Sequence, residues 1–351
     1  MESIYTYLRQ AVGENYSDLF VAAGKAISGK KGDKIVSVGQ EPLTPEQASH
    51  LVQELYSFAK RPVDRYSTRG DDDFSVSVPG LARFRVSTYR QRGTMAAAIR
   101  VVHFGIPDWR EMGIPEDIIR VADISSGLVL MTGPANAGKS TTLACIVDAI
   151  NHRRSVHIVT VEDPIEYLHK DDKSYITQRE LAVDTESYIA ALRASLRQSS
   201  DVILLGELAD EGTIQLAITA AESGRLVIST LNTMGAVNTV EHIIDLFRSE
   251  RQQPLRIQLS KVLKAIVSQQ LLPGENGGLI PAFEIMYVDN AIRGMIRDGR
   301  TEQINSVVRN FGISGTVSMD DFILRLFKAG QVSRETALQF AMNRDHLQKK
   351  L

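Results

Sequence analysis

The segment Gly133-Pro134-Ala135-Asn136-Ala137-Gly138-Lys139-Ser140-Thr141 sets the architecture of this chain. It fits the pattern G-x-x-x-x-G-K-[ST], a glycine-rich loop that binds phosphate groups. Residues 128–132 before it form an apolar run typical of a buried strand, and residues 142–150 after it carry apolar side chains at helical spacing. Strand, loop and helix in this order predict a phosphate-binding loop in an α/β domain. The alternative, a chance glycine loop before a helix, is the weaker interpretation because both flanks are correct.

Each part of this loop has a chemical role toward a bound nucleotide. The glycines let backbone N–H groups point at phosphate oxygens, and the N-terminus of the following helix adds a favourable dipole. Lys139 is placed to reach the β- and γ-phosphates, and the Ser140 hydroxyl is placed to bind Mg²⁺. We therefore expect residues 133–141 to bind ATP, with Mg²⁺ as its metal.

Length and composition limit the remaining possibilities. A chain of 351 residues is long enough for two domains. The formal net charge of −2 gives no basic footprint, so we expect no nucleic-acid partner. The single cysteine, Cys145, excludes a disulfide framework and a four-cysteine zinc site, and we expect it in the core. Neither a membrane span nor a signal peptide is apparent, which predicts a cytoplasmic protein that could still dock on a membrane machine.

Residues 1–104 are predicted to form a small α/β domain. Thr44-Pro45-Glu46-Gln47 is a helix start with a capping box, and the helix after it is expected to bury one apolar face, made by Ala48, Leu51, Val52, Leu55 and Phe58. Asp71-Asp72-Asp73 is most simply a solvated loop. Alternation then predicts two strands, 74–78 and 84–88, joined by a turn at Pro79-Gly80.

An arginine cluster follows this predicted hairpin. Arg83 and Arg85 point to the strand face opposite the apolar side chains, and Arg90, Arg92 and Arg100 come soon after. An exposed basic strand face explains the pattern, and from spacing alone it is the favoured interpretation. The sharper alternative is a set of arginines offered to a neighbouring subunit's nucleotide, where guanidinium groups stabilise charge on a transferring phosphoryl group.

Residues 105–117 are predicted to be a linker, because Gly and Pro are dense there. From 118 to 351, strands alternate with helices, which calls for a mostly parallel sheet covered by helices. The strand 157–161 is followed by Glu162 and Asp163, at the edge of the sheet where Mg²⁺ or a water molecule would bind. The alternative interpretation of these two residues is an acidic turn at the end of the strand. Residues 201–207 form an apolar run ended by Glu207, which fits a Walker B strand whose glutamate polarises the attacking water.

The remaining segments carry less chemistry. Another strand is predicted at 225–230, and Asn232 after it could either contact the γ-phosphate or cap the next helix. We expect the last hundred residues to be mainly helical, with an amphipathic helix over 254–271, a strand over 283–288, and helices starting at Ser318 and Ser333.

Four stretches taken together resemble the secretion and pilus ATPase superfamily, and most closely its retraction branch. They are 133–141, 161–167, 192–210 and 229–233, which are similar to the family's Walker A, Asp box, Walker B and His box in order and spacing. The resemblance extends to 80–93, to 267–273 and to 291–297, the last being similar to a motif of retraction ATPases.

The resemblance implies a hexameric ring that works as an ATP-hydrolysing motor for type IV pilus retraction. It implies a PAS-like N-terminal domain and a RecA-like P-loop ATPase domain with a helical C-terminal region, with ATP bound between the two domains of a subunit. It also implies docking at the inner face of the cell membrane on a pilus platform protein, with a paralogous ATPase as a further partner.

The same resemblance assigns roles to individual residues. Glu207 is the catalytic glutamate, and Glu162 and Asp163 belong to the Asp box, with Glu162 catalytic and Asp163 joining Ser140 at Mg²⁺. The family supplies arginine fingers from the N-terminal region, and the residues at matching positions are Arg85, Arg92 and Arg100.

The sequence departs from the family's pattern at several positions. Asn232 replaces the His box histidine, Ala209 replaces an arginine after the Walker B glutamate, and Phe20 replaces a histidine; the P-loop carries 135–137 as Ala-Asn-Ala. Asn cannot carry a proton or a charge, and Ala makes no ion pair. Turnover could therefore be reduced, and a nucleotide-binding ring with poor hydrolysis is one alternative. An extension or secretion ATPase is disfavoured because the four-cysteine zinc motif of that branch is absent.

Overall fold

The computed structural model describes residues 2–32, 34–102, 105–310 and 315–351. The chain divides into two compact units, Met1–Gly105 with Glu166–Leu168, and Ile106–Ile165 with His169–Leu351. Residues 106–117, for which we predicted a linker, group with the second unit. The boundary predicted at residue 104 lies outside the described residues, and the three-part division into 1–104, 105–117 and 118–351 stays a prediction.

An antiparallel sheet with helices packed on it forms the first unit. In the described residues its strands follow the order β3-β2-β1-β6-β5-β4, with antiparallel pairing throughout. The strands are β1 Asp18–Val21, β2 Ser28–Lys31, β3 Lys34–Ser37, β4 Asp71–Val78, β5 Ala82–Gln91 and β6 Thr94–Val102, and the helices are α1 Ile4–Gly13, α2 Pro45–Phe58 and α3 Asp64–Arg69. Apolar faces of α1 and α2 pack against β1, β5 and β6 in one core, which is the predicted PAS-like arrangement.

Helix α2 begins as its sequence predicts. The Thr44 side chain accepts a hydrogen bond from the Gln47 backbone, and the Gln47 side chain accepts one from the Thr44 backbone, so both arms of the capping box are present. Ala48, Leu51, Val52 and Leu55 are buried as expected. Phe58, the last residue of the helix, is instead 43% exposed.

The prediction of a solvated loop at 71–73 is wrong, because all three aspartates belong to β4. The inside-outside alternation of this strand reaches Asp72, which points to the core side together with Phe74. Arg61 makes two hydrogen bonds of 2.9 Å with the Asp72 carboxylate and so compensates its charge. A run of like charges looked solvated in the sequence, although its central member has a partner eleven residues earlier in the chain.

The second unit is built on a sheet of order β13-β12-β7-β11-β10-β8-β9 in the described part of the chain, parallel except for β12 with β13. Its strands are β7 Gly127–Thr132, β8 His157–Glu162, β9 Tyr175–Glu180, β10 Val202–Leu205, β11 Leu226–Leu231, β12 Leu263–Pro273 and β13 Leu279–Tyr287. Alternate residues of β7 enter two different cores: Leu128 and Leu130 pack on one face, Val129 and Met131 on the other. Burial of both faces explains why the central strands read as continuous apolar runs.

Helices cover both faces of this sheet. They are α4 Glu116–Ile119, α5 Lys139–Arg153, α6 Tyr188–Ser195, α7 Glu211–Glu222, α8 Ala236–Asp245, α9 Ser249–Val262, α10 Asn290–Arg297, α11 Ile304–Asn310, α12 Met319–Lys328, α13 Arg334–Phe340 and α14 Arg344–Gln348, with short 3₁₀ turns at Arg120–Asp123 and Thr301–Gln303. Ser318 and Ser333 cap α12 and α13 as predicted. Cys145 of α5 is buried, which raises the pKa of its thiol to about 11. None of the described helices is long and apolar enough to cross a membrane.

The predicted helix over 254–271 is only half correct. Helix α9 ends at Val262, and the chain continues as β12, between β7 and β13. Leu263, Ile266 and Val267 lie in the second half of the predicted helix, yet they are buried on two faces of a strand. When every residue of a short segment is buried, its apolar residues show neither the two-residue repeat of a strand nor the 3.6-residue repeat of a helix. The sequence pattern therefore could not distinguish the two structures here.

Candidate functional site

The glycine-rich loop connects β7 to α5, and its shape depends on β12 beside it. Gly133 has φ of +143°, and a Cβ added there would lie 2.2 Å from the backbone oxygen of Gln269. At Gly138, with φ of +83°, an added Cβ would lie 2.9 Å from the Gln269 amide nitrogen. The Gln269 side chain also accepts a hydrogen bond of 2.8 Å from the Thr142 hydroxyl. Gly133 is thus required both by its backbone angle and by lack of space, and Gly138 is favoured by its backbone angle.

The Lys139 ammonium lies within the loop. It donates hydrogen bonds to the backbone oxygens of Gly133 at 2.7 Å and Pro134 at 2.8 Å, and to Asn232 Oδ1 at 3.0 Å. Burial lowers the pKa of this ammonium, and the negative charge of Glu207 acts in the opposite direction. The lysine is therefore a cation held at the loop, beside the glutamate that the sequence predicted as catalytic.

Strand register brings the acidic residues to the same edge of the sheet. Val161 pairs with Leu205, Ser229 pairs with both Leu205 and Leu130, and Leu231 pairs with Thr132, so the segments that follow β7, β8, β10 and β11 leave the sheet side by side. These segments carry the P-loop, Glu162, Glu207 and Asn232. The carboxyl edge of a parallel sheet is where ligands of this fold class bind.

Glu207 and Asn232 are in direct contact. The Asn232 Nδ2 donates a hydrogen bond of 2.9 Å to Glu207 Oε1, while its Oδ1 accepts from Lys139. The sequence left open whether Asn232 contacts the γ-phosphate or caps α8. Gly235 is the N-cap of that helix, so Asn232 does not cap it and remains available to the site.

The Asp box residues differ from each other in their surroundings. Glu162 accepts a hydrogen bond of 2.7 Å from the Thr160 hydroxyl, and the Gln178 amide lies 3.4 Å from the same oxygen. Asp163 is exposed, and Ser140 at the start of α5 is half-buried. Within the described residues no group of three or more His, Cys, Asp or Glu side chains is arranged around a metal position. Ser140 and Asp163, predicted from the sequence as Mg²⁺ ligands, carry the hard oxygen atoms that Mg²⁺ prefers, and their role stays a prediction.

Two residues of the site were missed from the sequence. Tyr188, the first residue of α6, lies against the segment between β10 and Glu207. A Cβ on Gly206 in this segment would be only 2.5 Å from the Tyr188 hydroxyl. Burial, followed by the charges of Asp163, Glu207 and Glu162, raises the pKa of this phenol. Gln269 is the second, and nothing in its local pattern distinguishes it from the other polar residues of β12. Both act through contacts between elements distant in sequence, which a motif search does not detect.

A cavity of about 380 Å³ lies beside the loop. Its lining combines Gly138, Thr141 and Thr142 of the loop region with apolar side chains, among them Leu271, Ile280 and Leu326. Its position next to the helix N-terminus and its mixed lining make it suitable for the base and sugar of a nucleotide whose phosphates occupy the loop.

The three arginines predicted as fingers lie in the first unit and are all exposed. Arg85 and Arg100 are paired residues on the neighbouring strands β5 and β6. Arg100 forms an ion pair of 3.1 Å with Asp18. Arg92 occupies the turn between these strands at φ of +49°. Among the described residues, the side chains of Arg85 and Arg92 make no hydrogen bond or ion pair, so two of the three guanidinium groups are uncommitted.

Ala209 is exposed in the turn before α7, and Asp210 next to it caps that helix. The Asp210 carboxylate accepts from the Thr213 backbone at 2.9 Å and from the Thr213 hydroxyl at 2.7 Å, which lowers its pKa. The end of the Walker B signature therefore has a structural role that does not need an arginine at position 209.

A RecA-like sheet, a P-loop after β7 and a glutamate after β10, two strands away, together define a P-loop ATPase. The profile of the family described as type II/IV secretion system protein matches residues 4–318. The chain belongs to this family.

Relatives within the family are close over nearly the whole chain. The type IV pilus retraction ATPase PilT of Pseudomonas aeruginosa is 37% identical over 325 residues, which is 93% of this chain and 94% of that protein. A twitching motility protein of Neisseria gonorrhoeae is 38% identical over 306 residues, covering 87% of this chain and 81% of that protein. The crystal structure of the pilus retraction motor PilT with bound ADP superposes with a TM-score of 0.92 at 36% identity, over 99% of this chain and 100% of that one. Sequence and fold thus group this chain with the retraction-type ATPases.

Proposed function

We propose that this protein hydrolyses Mg·ATP and uses the free energy to drive retraction of a type IV pilus. The observation that carries the proposal is the contact of Lys139, Asn232 and Glu207 at the carboxyl edge of the sheet. A phosphate-binding cation and a carboxylate that can accept a proton from water lie next to each other there. The similarity to retraction ATPases supports the assignment of the mechanical task.

The chain's own residues account for the parts of the reaction. Backbone N–H groups of 133–141 and the N-terminus of α5 hold the β- and γ-phosphates, and Lys139 exchanges one of its present acceptors for a phosphate oxygen. Ser140 and Asp163 would hold Mg²⁺, which when bound neutralises charge on the phosphates. Glu207 accepts the proton of the attacking water, and Glu162, fixed by Thr160, orients that water from the neighbouring strand.

We infer that subunits assemble into a ring of six in which arginines from one subunit complete the nucleotide site of the next. Arg85 and Arg92 are favoured over Arg100, because Asp18 already compensates the charge of Arg100. An exposed arginine without a partner loses little when it turns toward a phosphate, whereas a paired one must first give up its carboxylate.

The ring would act at the inner face of the cell membrane, on the platform protein of the pilus, and a paralogous ATPase could share the task. This part of the proposal is supported by the retraction-type relatives, which are named for the same process. We expect the protein to act from the cytoplasm.

A second function is favoured by two specific residues. Asn232 stands where the family has a histidine, and Ala209 where it has an arginine, so the ring could bind nucleotide while hydrolysing it poorly. In that case the protein would regulate or support a motor rather than drive it.

Steady-state ATPase activity of the size-separated oligomer, with and without Mg²⁺, separates the two functions. The motor requires Mg²⁺-dependent phosphate release in the hexamer fraction, and Glu207→Gln should reduce the rate by at least about 100-fold, since a positioned base contributes about 10²–10⁴-fold. Lys139→Ala is the matched control for loss of phosphate binding. A native rate no higher than that of Lys139→Ala, with ATP still bound, would establish the regulatory ring instead.

A further inference from the structure

The contact between the P-loop and the Walker B glutamate runs through one side chain. Lys139 has three N–H donors, and Gly133, Pro134 and Asn232 take all three. The lysine therefore meets an incoming phosphate with every donor occupied, and Asn232 supplies the one side-chain acceptor among them.

The orientation of the Asn232 amide follows from its partners. A lysine ammonium can only donate and a carboxylate can only accept, so the amide oxygen faces Lys139 and the amide nitrogen faces Glu207. The hydrogen bond to Glu207 uses Oε1, and Oε2 has no hydrogen bond to any described residue. One carboxylate oxygen is thus fixed while the other remains available to water.

We propose that Asn232 is a positioning residue with two tasks, which rests on the proposed ATPase function. Its oxygen holds the P-loop lysine until a phosphate displaces it, so nucleotide binding has to break this contact. Its nitrogen orients the Glu207 carboxylate so that the second oxygen faces the attacking water. The asparagine that appeared in the sequence as a loss relative to the family's histidine is in this view a functional replacement.

Two isosteric substitutions separate these tasks. Asn232→Leu removes both hydrogen bonds and frees a Lys139 donor, so ADP should bind about threefold to tenfold more tightly, as expected for one hydrogen bond of ordinary net strength. Asn232→Asp keeps the acceptor toward Lys139, strengthens it by charge and repels phosphate, so ADP should bind more weakly than to the native protein. In both variants kcat should fall at least about tenfold, because the Glu207 carboxylate loses its donor.

The experiment is calorimetric titration of the full-length protein with ADP, combined with kcat for ATP. Asn238→Leu is the matched control, because Asn238 is also exposed and its amide contacts only the Met234 backbone oxygen among the described residues. It should leave both quantities unchanged. A general loss of structure would weaken binding and turnover together, whereas the inference requires tighter binding with slower turnover in Asn232→Leu.

An ADP dissociation constant for Asn232→Leu that is equal to or larger than the native one would overturn the inference, even in a native protein that hydrolyses ATP well. If the ADP dissociation constant falls in Asn232→Leu and rises in Asn232→Asp, the contact between Asn232 and Lys139 has the proposed role. This result would hold even if the native protein did not hydrolyse ATP, and only the motor proposal would then fail. An unchanged kcat in both variants would overturn the Glu207 half.

Discussion

Gly206 lies between the end of β10 and Glu207, the glutamate for which we propose a catalytic role. Its backbone N–H donates to Val161 at 2.8 Å, its carbonyl accepts from the Thr230 hydroxyl at 2.5 Å, and the Tyr188 hydroxyl occupies the space that a side chain would need. The residue before Glu207 is therefore held by three neighbouring elements. Any displacement at Gly206 moves the carboxylate that follows it.

Gly206→Ala should reduce kcat strongly while leaving ADP binding close to native. The new methyl group would lie 2.5 Å from the Tyr188 hydroxyl and 3.4 Å from its ring carbon, so either the tyrosine or Glu207 must shift. Overpacking of this kind costs about 1–3 kcal/mol. Combining it with Tyr188→Phe removes the clashing oxygen and should restore much of the rate. If the double variant is as slow as Gly206→Ala, the contact with Tyr188 is not the cause.

His169 provides a pH-dependent prediction. Burial lowers the pKa of its imidazole from 6.5 to about 4, and the ring nitrogen Nδ1 has no hydrogen-bond partner among the described residues. Between these two values the unfolded chain binds the proton and the folded one does not, so the free energy of unfolding should fall as the pH drops from 7 to 4. The loss from this group is about 3 kcal/mol at most.

Urea unfolding at several pH values, compared between the native protein and His169→Gln, tests this assignment. The variant should lose less stability than the native protein over the same pH range. His242 is exposed, so His242→Gln serves as the control and should follow the native curve. Parallel curves for the native protein and His169→Gln would contradict the prediction.

At the scale of single elements, β4 shows how a strand accommodates a charge on its buried side. Asp72 is 2% exposed, and Arg61 and the Tyr56 hydroxyl are its nearest partners, with Arg65 at 3.6 Å. Burial raises the pKa of the Tyr56 phenol to about 12, so the phenol remains a neutral donor. The carboxylate joins β4 to the end of α2 and the start of α3.

Asp72→Asn should destabilise the first unit, because it leaves the Arg61 guanidinium without its countercharge. Breaking a buried pair by removal of one partner costs about 3–5 kcal/mol, and since Arg61 is partly exposed we expect about 3 kcal/mol or less. Asp71→Asn on the exposed side of the same strand is the matched control and should change stability by less than about 0.5 kcal/mol. Equal midpoints of urea unfolding for the two variants would show that burial of Asp72 carries no such energy.

The elements also show where sequence information is sufficient. The P-loop, its two flanking elements, the capping box of α2 and the apolar runs of β7, β8, β10 and β11 were predicted, because each is specified by residues close in sequence. The sequence did not predict that residues 71–73 belong to β4, because Arg61, distant in sequence, compensates the buried charge of Asp72. It did not predict β12 either, because that strand is stabilised by pairing with β7 and β13. The same holds within the site: Glu207 was predicted by its position after a strand, whereas the contacts of Tyr188, Gln269 and Asn232 needed the folded chain.

At the scale of the whole molecule, the proposed ring makes the site dependent on two subunits. One subunit binds the nucleotide with Lys139 and Glu207. The next subunit supplies Arg85 and Arg92. Such head-to-tail interfaces are heterologous, and each can be completed or damaged separately.

Mixed rings provide a test of that arrangement. Glu207→Gln and the double variant Arg85→Ala, Arg92→Ala should each be inactive alone, but co-assembled rings should regain about a quarter of the native rate, the share of interfaces at which both defects are absent. Co-assembly of Glu207→Gln with Lys139→Ala is the control, because both changes damage the same side of the interface and no complete site can form. Recovery no greater than in this control would contradict arginine supply between subunits.

Gln269 has a consequence for how movement passes through the protein. Its backbone oxygen leaves Gly133 no room for a methyl group, and its side chain is hydrogen-bonded to Thr142 at the start of α5. We therefore expect the phosphate-binding loop and β12 to move together. Strand β12 is joined along its length to β13, against which α12 packs. We therefore expect a displacement of the phosphates to move β12, β13 and the C-terminal helix α12 as well. We expect the change in shape that accompanies turnover to occur on the other side of the loop, in the segment after β11 that carries the exposed Asn232.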